Sequence, residues 1–167
     1  MSIISFRQLK LLKVLSLTIN KFTMATAVES TEAVSSCIFC QIIKENDPNK
    51  LIYEDEELVS FADIKPASKC HYLIVPRKHI KDAKDLKTPD DKVLVEKMVE
   101  VAKRILVEKN CDLTDARFGF HWPPFHTVSH LHLHAISPAS EMGMIAKMIF
   151  RPDSFWFVSP DYVISRL

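Results

Sequence analysis

Three histidines dominate the chemistry that this sequence offers. In Ser129-His-Leu-His-Leu-His-Ala-Ile136, His130, His132 and His134 alternate with Leu131, Leu133 and Ala135. Strict alternation is the period of a β-strand, and it places the three imidazoles on one face and an apolar set on the other. Unpaired imidazoles are costly to bury, so the histidine face is expected to meet solvent, a ligand or a metal. Two chemistries suit such a row. Alternating histidines can converge on one zinc ion, or one imidazole can act as a nucleophile while its neighbours orient it and hold the anion it attacks. An unperturbed pKa of about 6.5 leaves neutral imidazole available at physiological pH.

The four cysteines form a second group. Cys37 and Cys40 stand as Cys-x-x-Cys, a spacing that suits a metal or redox chemistry and equally suits two small buried hydrophobes. Cys70 and Cys111 have no partner at a useful spacing and are expected to be inert. No secretory signal with a small-residue cleavage site precedes them, and free thiols in a reducing compartment are the simplest expectation.

These residues need elements to carry them. The segment Cys37 to Ile43 reads as a short apolar helix, and Leu51–Tyr53 and Leu58–Phe61 read as strands joined by the acidic turn Glu54 to Glu57. Cys70 to Val75 is a third strand, halted by Pro76, which has no amide to donate. Thr88-Pro-Asp-Asp91 is a helix start, with a hydroxyl cap, proline at the first helical position and acids in the first turn. Leu94, Met98, Ala102 and Ile105 then keep helical spacing to about Lys109. Arg117–Trp122 and Ser129–Ile136 complete five strands. The expected fold is α+β: a five-stranded, mainly antiparallel sheet with one long helix and a short N-terminal helix.

Composition narrows the classes. The chain has 167 residues, enough for one ordinary domain, with 47% hydrophobic and 26% charged residues. A formal net charge of +1 lacks the basic footprint of a protein that grips nucleic acid, so a nucleic-acid partner is not expected. No uncharged apolar run approaches the ~20 residues that cross a bilayer. With Gly119 and Gly143 as the only glycines, neither a P-loop nor a dinucleotide fingerprint is present. Residues 1–35 differ from the rest: Met1 to Val28 carries Arg7, Lys10, Lys13 and Lys21 but no acid, then a Ser/Thr/Ala/Glu-rich run follows. They read as a flexible extension, or, over residues 1–23, as a mitochondrial presequence, with Met24 as an alternative start.

The run His130 to Ile136 resembles the signature of the histidine triad (HIT) superfamily. Ser60-Phe-Ala-Asp-Ile-Lys-Pro66, His71-Tyr-Leu-Ile-Val-Pro-Arg-Lys-His79-Ile80 and Cys37-Ile-Phe-Cys-Gln-Ile-Ile43 resemble further signature segments, and the tail from Ser154 to Leu167 is similar to the Hint branch. The resemblance implies a HIT domain over residues 36–167 and hydrolysis of a purine nucleoside 5′-monophosphoramidate, with aminoacyl-adenylates as further substrates. It implies that His132 attacks the α-phosphorus, forms a nucleotidyl-histidine and is released by water as AMP is freed. His134 would contact the phosphoryl oxygens or the departing group, His130 and His71 would complete the imidazole cluster, and Thr127 would supply a hydroxyl. Asp63 and Ile64 would hold the ribose, with Ile38, Phe39, Ile42 and Phe61 as candidates for the base pocket or for core packing. No cofactor is implied for catalysis, but a structural zinc on Cys37, Cys40, His79 and His130 is, since two thiolates and two imidazoles make a closed tetrahedral set. The same resemblance implies a homodimer or higher homo-oligomer formed through the long helix and the sheet, with Val95, Val99 and Leu106 as a second apolar face. A cytoplasmic or nuclear setting follows from the family, or a mitochondrial one if the presequence reading holds.

The sequence departs from the family just before the triad. Glycine-rich sequence there would let backbone amides approach a phosphate, whereas this chain has His121-Trp-Pro-Pro-Phe-His126. Prolines supply no amide, and His121 and His126 read as loop residues that either assist or stand by. Two other functions remain open at this point. One is a nucleotide-binding regulatory or scaffold protein with residual catalysis. The other is an aprataxin-like nucleotidyl hydrolase acting on nucleic-acid ends, for which a basic patch and an additional zinc finger are expected and not found.

Overall fold

The computed structural model describes residues 36–167. The expectations for residues 1–35, including the presequence and the start at Met24, lie outside the described residues. In chain order the elements are α1 (Ile38–Glu45), β1 (Leu51–Glu54), β2 (Leu58–Ala62), β3 (Cys70–Pro76), α2 (Pro89–Glu108), β4 (Arg117–His121), β5 (Leu133–Ser137), α3 (Met144–Ile149), β6 (Phe157–Val158) and α4 (Pro160–Ile164).

The strands form one antiparallel sheet in the order β1-β2-β3-β5-β4-β6. The α+β class and the antiparallel sheet are as expected, but the described residues form six strands, not five. The sixth, with α3 and α4, lies in a C-terminal stretch whose elements are too short for periodicity to reveal.

Helix α2 begins where its start signals put it. The Thr88 side chain accepts from the Asp91 amide, the Asp91 carboxylate accepts from the Thr88 amide, and Pro89 occupies the first turn. This capping box satisfies two amides that the helix itself leaves unpaired. The helix lays Val95, Met98, Val101, Ala102, Ile105 and Leu106 on one face of the sheet, against Leu58, Ile74, Leu133 and Ala135. Val95 and Leu106 are fully buried in this core, so they do not form a second apolar face for a partner; Val99 remains half-buried.

The opposite face is covered too. Phe39 of α1 packs with Val59, Phe61, Leu73 and Val75, while Phe150 and Phe157 pack with Ile136 beside them. With both faces roofed, β3 and β5 are buried along nearly their whole length, His71 and His134 included.

Two expectations about particular residues are overturned. Cys70, at the start of β3, and Cys111, just beyond α2, are joined as a disulfide with their Cα atoms 6.5 Å apart. They are 41 positions apart in the sequence, and only the return of α2 across the sheet brings them together. The histidine strand is also shorter than its alternation suggests. Leu133 pairs with Ile74, but beyond it β3 offers Pro76, which has no amide to share, and the Leu131 amide bonds the Ile80 carbonyl instead. His130 and His132 therefore sit on the approach to β5, with only His134 inside the strand.

Candidate active site and cysteine–histidine cluster

The three histidines still line up along one side of the chain, and every one of them is buried: His130 is 0%, His132 7% and His134 4% exposed. The open imidazole face expected from the alternation is thus a covered one. Phe39 covers it from α1, its ring 6.0 Å from that of His130 and 5.2 Å from that of His132. Phe150 and Phe157 cover it from the C-terminal segment, at 5.1 and 6.0 Å from His134. Burial costs less than expected because most of the ring nitrogens have partners.

Those partners fix the protons. His132 Nδ1 lies 2.6 Å from the His130 carbonyl oxygen. A carbonyl can only accept, so Nδ1 carries the proton and Nε2 presents a lone pair. His71 Nδ1 accepts from the Ala67 amide at 3.0 Å, which puts the His71 proton on Nε2. His71 Nε2 is 2.9 Å from His134 Nδ1 and donates to it. His134 is left with its proton on Nε2, a buried donor with no hydrogen-bond partner. One nitrogen lone pair and one unsatisfied donor therefore stand on neighbouring rings, whose centroids are 4.9 Å apart.

Burial sets the charge state. It is the largest influence on His71 and on His132 and holds the pKa of each down, at about 4. His134 is driven well below the ordinary histidine value by the same cause. Asp63 Oδ2 lies 3.5 Å from His71 Nε2 and pulls the other way, but with a neutral imidazole at pH 7 the contact is not an ion pair.

The remaining expected site residues fall into three groups. Asp63 meets the imidazole cluster through His71, and its other oxygen accepts from the Lys65 amide at 2.7 Å. Phe39 and Phe61 pack edge-on at 5.3 Å in the core, Phe39 also touching the triad, while Ile42 packs against them. Ile38 and Ile64 are exposed, Ile64 by 94%. Thr127 lies exposed in the loop before the triad and makes no hydrogen bond to the histidines.

His121 ends β4, as the expected strand Arg117–Trp122 has it, and it is not a bystander in the loop before the triad: its ring stands 4.9 Å from that of His134. Gly119 pairs with His134 across β4 and β5, and His121 follows two residues later on the same face. That period-two step was the signal available in the sequence. Gly119 itself makes room: a Cβ there would sit 2.4 Å from the Phe157 ring.

A second cluster adjoins the first. Cys37, Cys40, His79 and His130 bring one ligand atom each to within 4.8 Å of one another. Cys40 Sγ is 3.2 Å from His79 Nδ1 and 3.4 Å from His130 Nδ1, and Cys37 Sγ is 3.4 Å from the same His130 nitrogen. A tetrahedral zinc with ordinary Zn–S and Zn–N bonds separates S from N by about 3.6 Å, so the four donors fit such an ion. His130 Nε2 donates to the Pro76 carbonyl at 2.8 Å, leaving Nδ1 bare and aimed at the sulfurs.

An antiparallel sheet carrying a covered row of alternating histidines, one of them with an unprotonated Nε2, defines the α+β class of the chain. The comparisons give the class its family. A family profile described as "Scavenger mRNA decapping enzyme C-term binding" matches residues 36–149. The chain is 46% identical over 142 residues to mouse "Adenosine 5'-monophosphoramidase HINT3", covering 83% of this chain and 86% of the relative. It is 43% identical over 103 residues to the Arabidopsis thaliana "Bifunctional adenosine 5'-phosphosulfate phosphorylase/adenylylsulfatase HINT4", covering 61% of this chain and 70% of that one. Among solved structures, a HIT family hydrolase from Clostridium thermocellum superposes with a TM-score of 0.58 at 28% identity, over 66% of this chain and 96% of the other. The chain belongs to the histidine triad family. Among its described residues no helix is long and apolar enough to cross a membrane.

Proposed function

We propose that this chain hydrolyses the P–N bond of adenosine, or other purine nucleoside, 5′-monophosphoramidates and releases AMP. The observation that carries the reading is the proton assignment in the triad. His132 Nε2 holds a lone pair because Nδ1 is committed to the His130 carbonyl, and His134 Nε2–H beside it lacks an acceptor that a phosphoryl oxygen would supply. The names of the mouse and frog relatives, both adenosine 5′-monophosphoramidases at 46% and 45% identity, support the same activity.

In the first step His132 Nε2 attacks the α-phosphorus, the P–N bond breaks and the departing nitrogen takes a proton from solvent, which the second step returns when water is split. His134 stabilises the charge that builds on the phosphoryl oxygens. In the second step water attacks the nucleotidyl-histidine, freeing AMP and neutral imidazole. Dividing one displacement into two lowers the barrier of each. Asp63 would accept from ribose hydroxyls, and the exposed Ile38 and Ile64 would offer apolar surface to a purine, while Phe39 is committed to the core. Thr127 contributes only if its loop moves toward the phosphate on binding.

Cys37, Cys40, His79 and His130 would hold a structural zinc, which would supply rigidity by tying α1 to the chain segment that orients His132. The substrate is a nucleotide, and a homodimer formed through the exposed edge of α2 and the sheet suits the half-buried Val99. Release of AMP from adenosine 5′-phosphoramidate by the purified chain, lost in His132→Ala, tests the reading. Binding of AMP without turnover would favour the scaffold alternative.

A further inference from the structure

An apolar groove opens beside the histidine cluster, and the reaction just proposed gives it no task. It measures about 290 Å3 and is lined by His121, Phe125, Met148, Ile149 and Trp156. No lysine, arginine or carboxylate lines it. Its volume is roughly twice that of a ~150 Å3 cavity that admits benzene. Phe125, Met148 and Ile149 are 48%, 67% and 45% exposed, an amount of open apolar surface that marks a binding region when it is contiguous.

The walls are held in place. Trp156 Nε1 donates to the Met148 and Ile149 carbonyls at 3.1 Å each, so the indole caps the end of α3. The Trp122 amide donates to the Trp156 carbonyl at 2.8 Å, and the Phe125 amide to the Trp122 carbonyl at 2.9 Å, which ties the loop wall to the tryptophan wall. The groove is also continuous with the chemistry. His121 lines it and lines, with His132, the small cavity at the triad, and its ring stands 4.9 Å from that of His134.

We propose that this groove is a leaving-group subsite, which receives a bulky apolar substituent, an aromatic one above all, on the nitrogen that departs from phosphorus. The inference rests on the phosphoramidase reading and deepens it by naming a substrate class. A phosphoramidate bound with its phosphorus at His132 has its nucleotide on one side and its amine on the other. With Asp63 available to the ribose, the His121 side is left for the amine. An aromatic ring there exchanges water for Phe125, Trp156 and two aliphatic side chains, while a charged or hydroxylated substituent would lose its hydration without gaining a partner.

The test compares kcat/KM of the full-length protein for the N-benzyl and the N-(2-hydroxyethyl) adenosine 5′-phosphoramidates, whose amines are similar in basicity. The native protein should prefer the benzyl compound by at least about tenfold, the selectivity that a few apolar contacts supply. Met148→Ser and Ile149→Ser, at exposed helical positions that tolerate serine, should bring that ratio toward one. Val93→Ser, equally exposed on α2, should leave the ratio as it is. A native ratio near one, or a ratio unchanged in both groove variants, overturns the subsite while the phosphoramidase reading stands. Failure of both substrates to release AMP overturns both. A preference that changes with protein concentration, together with a shift of Met148→Ser to a smaller assembly, assigns the groove to a second copy of the chain and also overturns it.

Discussion

His130 faces three ways, and each of them bears on His132. Its Nδ1 points at Cys37 and Cys40, its Nε2 is held by the Pro76 carbonyl, and its own carbonyl lies 2.6 Å from His132 Nδ1. The residue that belongs to the cysteine–histidine cluster therefore also decides which nitrogen of His132 is free to react. Structure and chemistry meet in one peptide unit.

Disturbing the cysteine–histidine cluster should reach the chemistry by this route. Purified protein is expected to carry one zinc per chain. Cys37→Ser should lose it, lower the melting temperature by several degrees and reduce kcat more than KM, because the backbone that orients His132 loosens while Asp63 is untouched. Zinc content by elemental analysis with parallel kinetics checks this, and a zinc-free native protein with full stability would contradict it.

Removal of His71 separates orientation from nucleophilicity. His71→Ala takes away the donor that fixes the proton of His134 on Nε2, so His134 can then present a lone pair to a phosphoryl oxygen where a donor is needed. A loss on the order of 10² in kcat is expected, within the range that correctly placed proton donors contribute. The nucleotidyl-histidine should still form, slowly. A kcat unchanged from native would count against the proton assignment.

Acid should destabilise the fold before it protonates the nucleophile. Burial holds His71 and His132 at about 4, and His134 low as well. The native pKa values lie below the unfolded value of about 6.5, so the unfolded chain binds more protons between about pH 4 and 6.5. Stability therefore rises with pH through that window and is level above it. At pH 5 His71 and His132 should each withhold on the order of 2 kcal/mol relative to pH 7. Urea midpoints measured from pH 7 to pH 5 should fall, with turnover per folded molecule largely retained; midpoints that hold steady or rise contradict the assignment.

Gly119→Ala tests the roof over the triad. The added methyl would clash with the Phe157 ring, too close for both to stay. Phe157 must leave its present place beside His121 and His134, at a cost of roughly 1–3 kcal/mol for the strained packing. Thermal melting and kcat should both drop, while phenylalanine at 157 replaced by leucine should relieve part of the loss in the double variant.

Much of this architecture is legible in the amino-acid sequence. Thr88-Pro-Asp-Asp marks the start of α2 because capping is a local interaction, and the imidazole row is visible because alternation is local too. What the sequence concealed is long-range. Cys70 and Cys111 read as inert because nothing nearby in the chain pairs them. The histidine face read as open because its cover, Phe150 and Phe157, arrives from a C-terminal stretch with no strong periodicity of its own. The strand Arg117–Trp122 is legible and contains His121, but the meeting of that ring with His134 depends on the pairing of β4 with β5, which no single segment discloses. The loss of His130 and His132 from the strand traces to Pro76 on the neighbouring one, a pairing that one sequence segment cannot disclose.

The central claim is a covalent bond at His132 Nε2. Native protein mixed with excess adenosine 5′-phosphoramidate, quenched in acid-free denaturant within one turnover and digested, should yield a peptide carrying one adenylate, with fragmentation placing it on His132. The adduct should be absent from His132→Ala and should accumulate when the second step is slowed. Turnover with no such adduct, or an adduct on His134 or His121, would contradict the account.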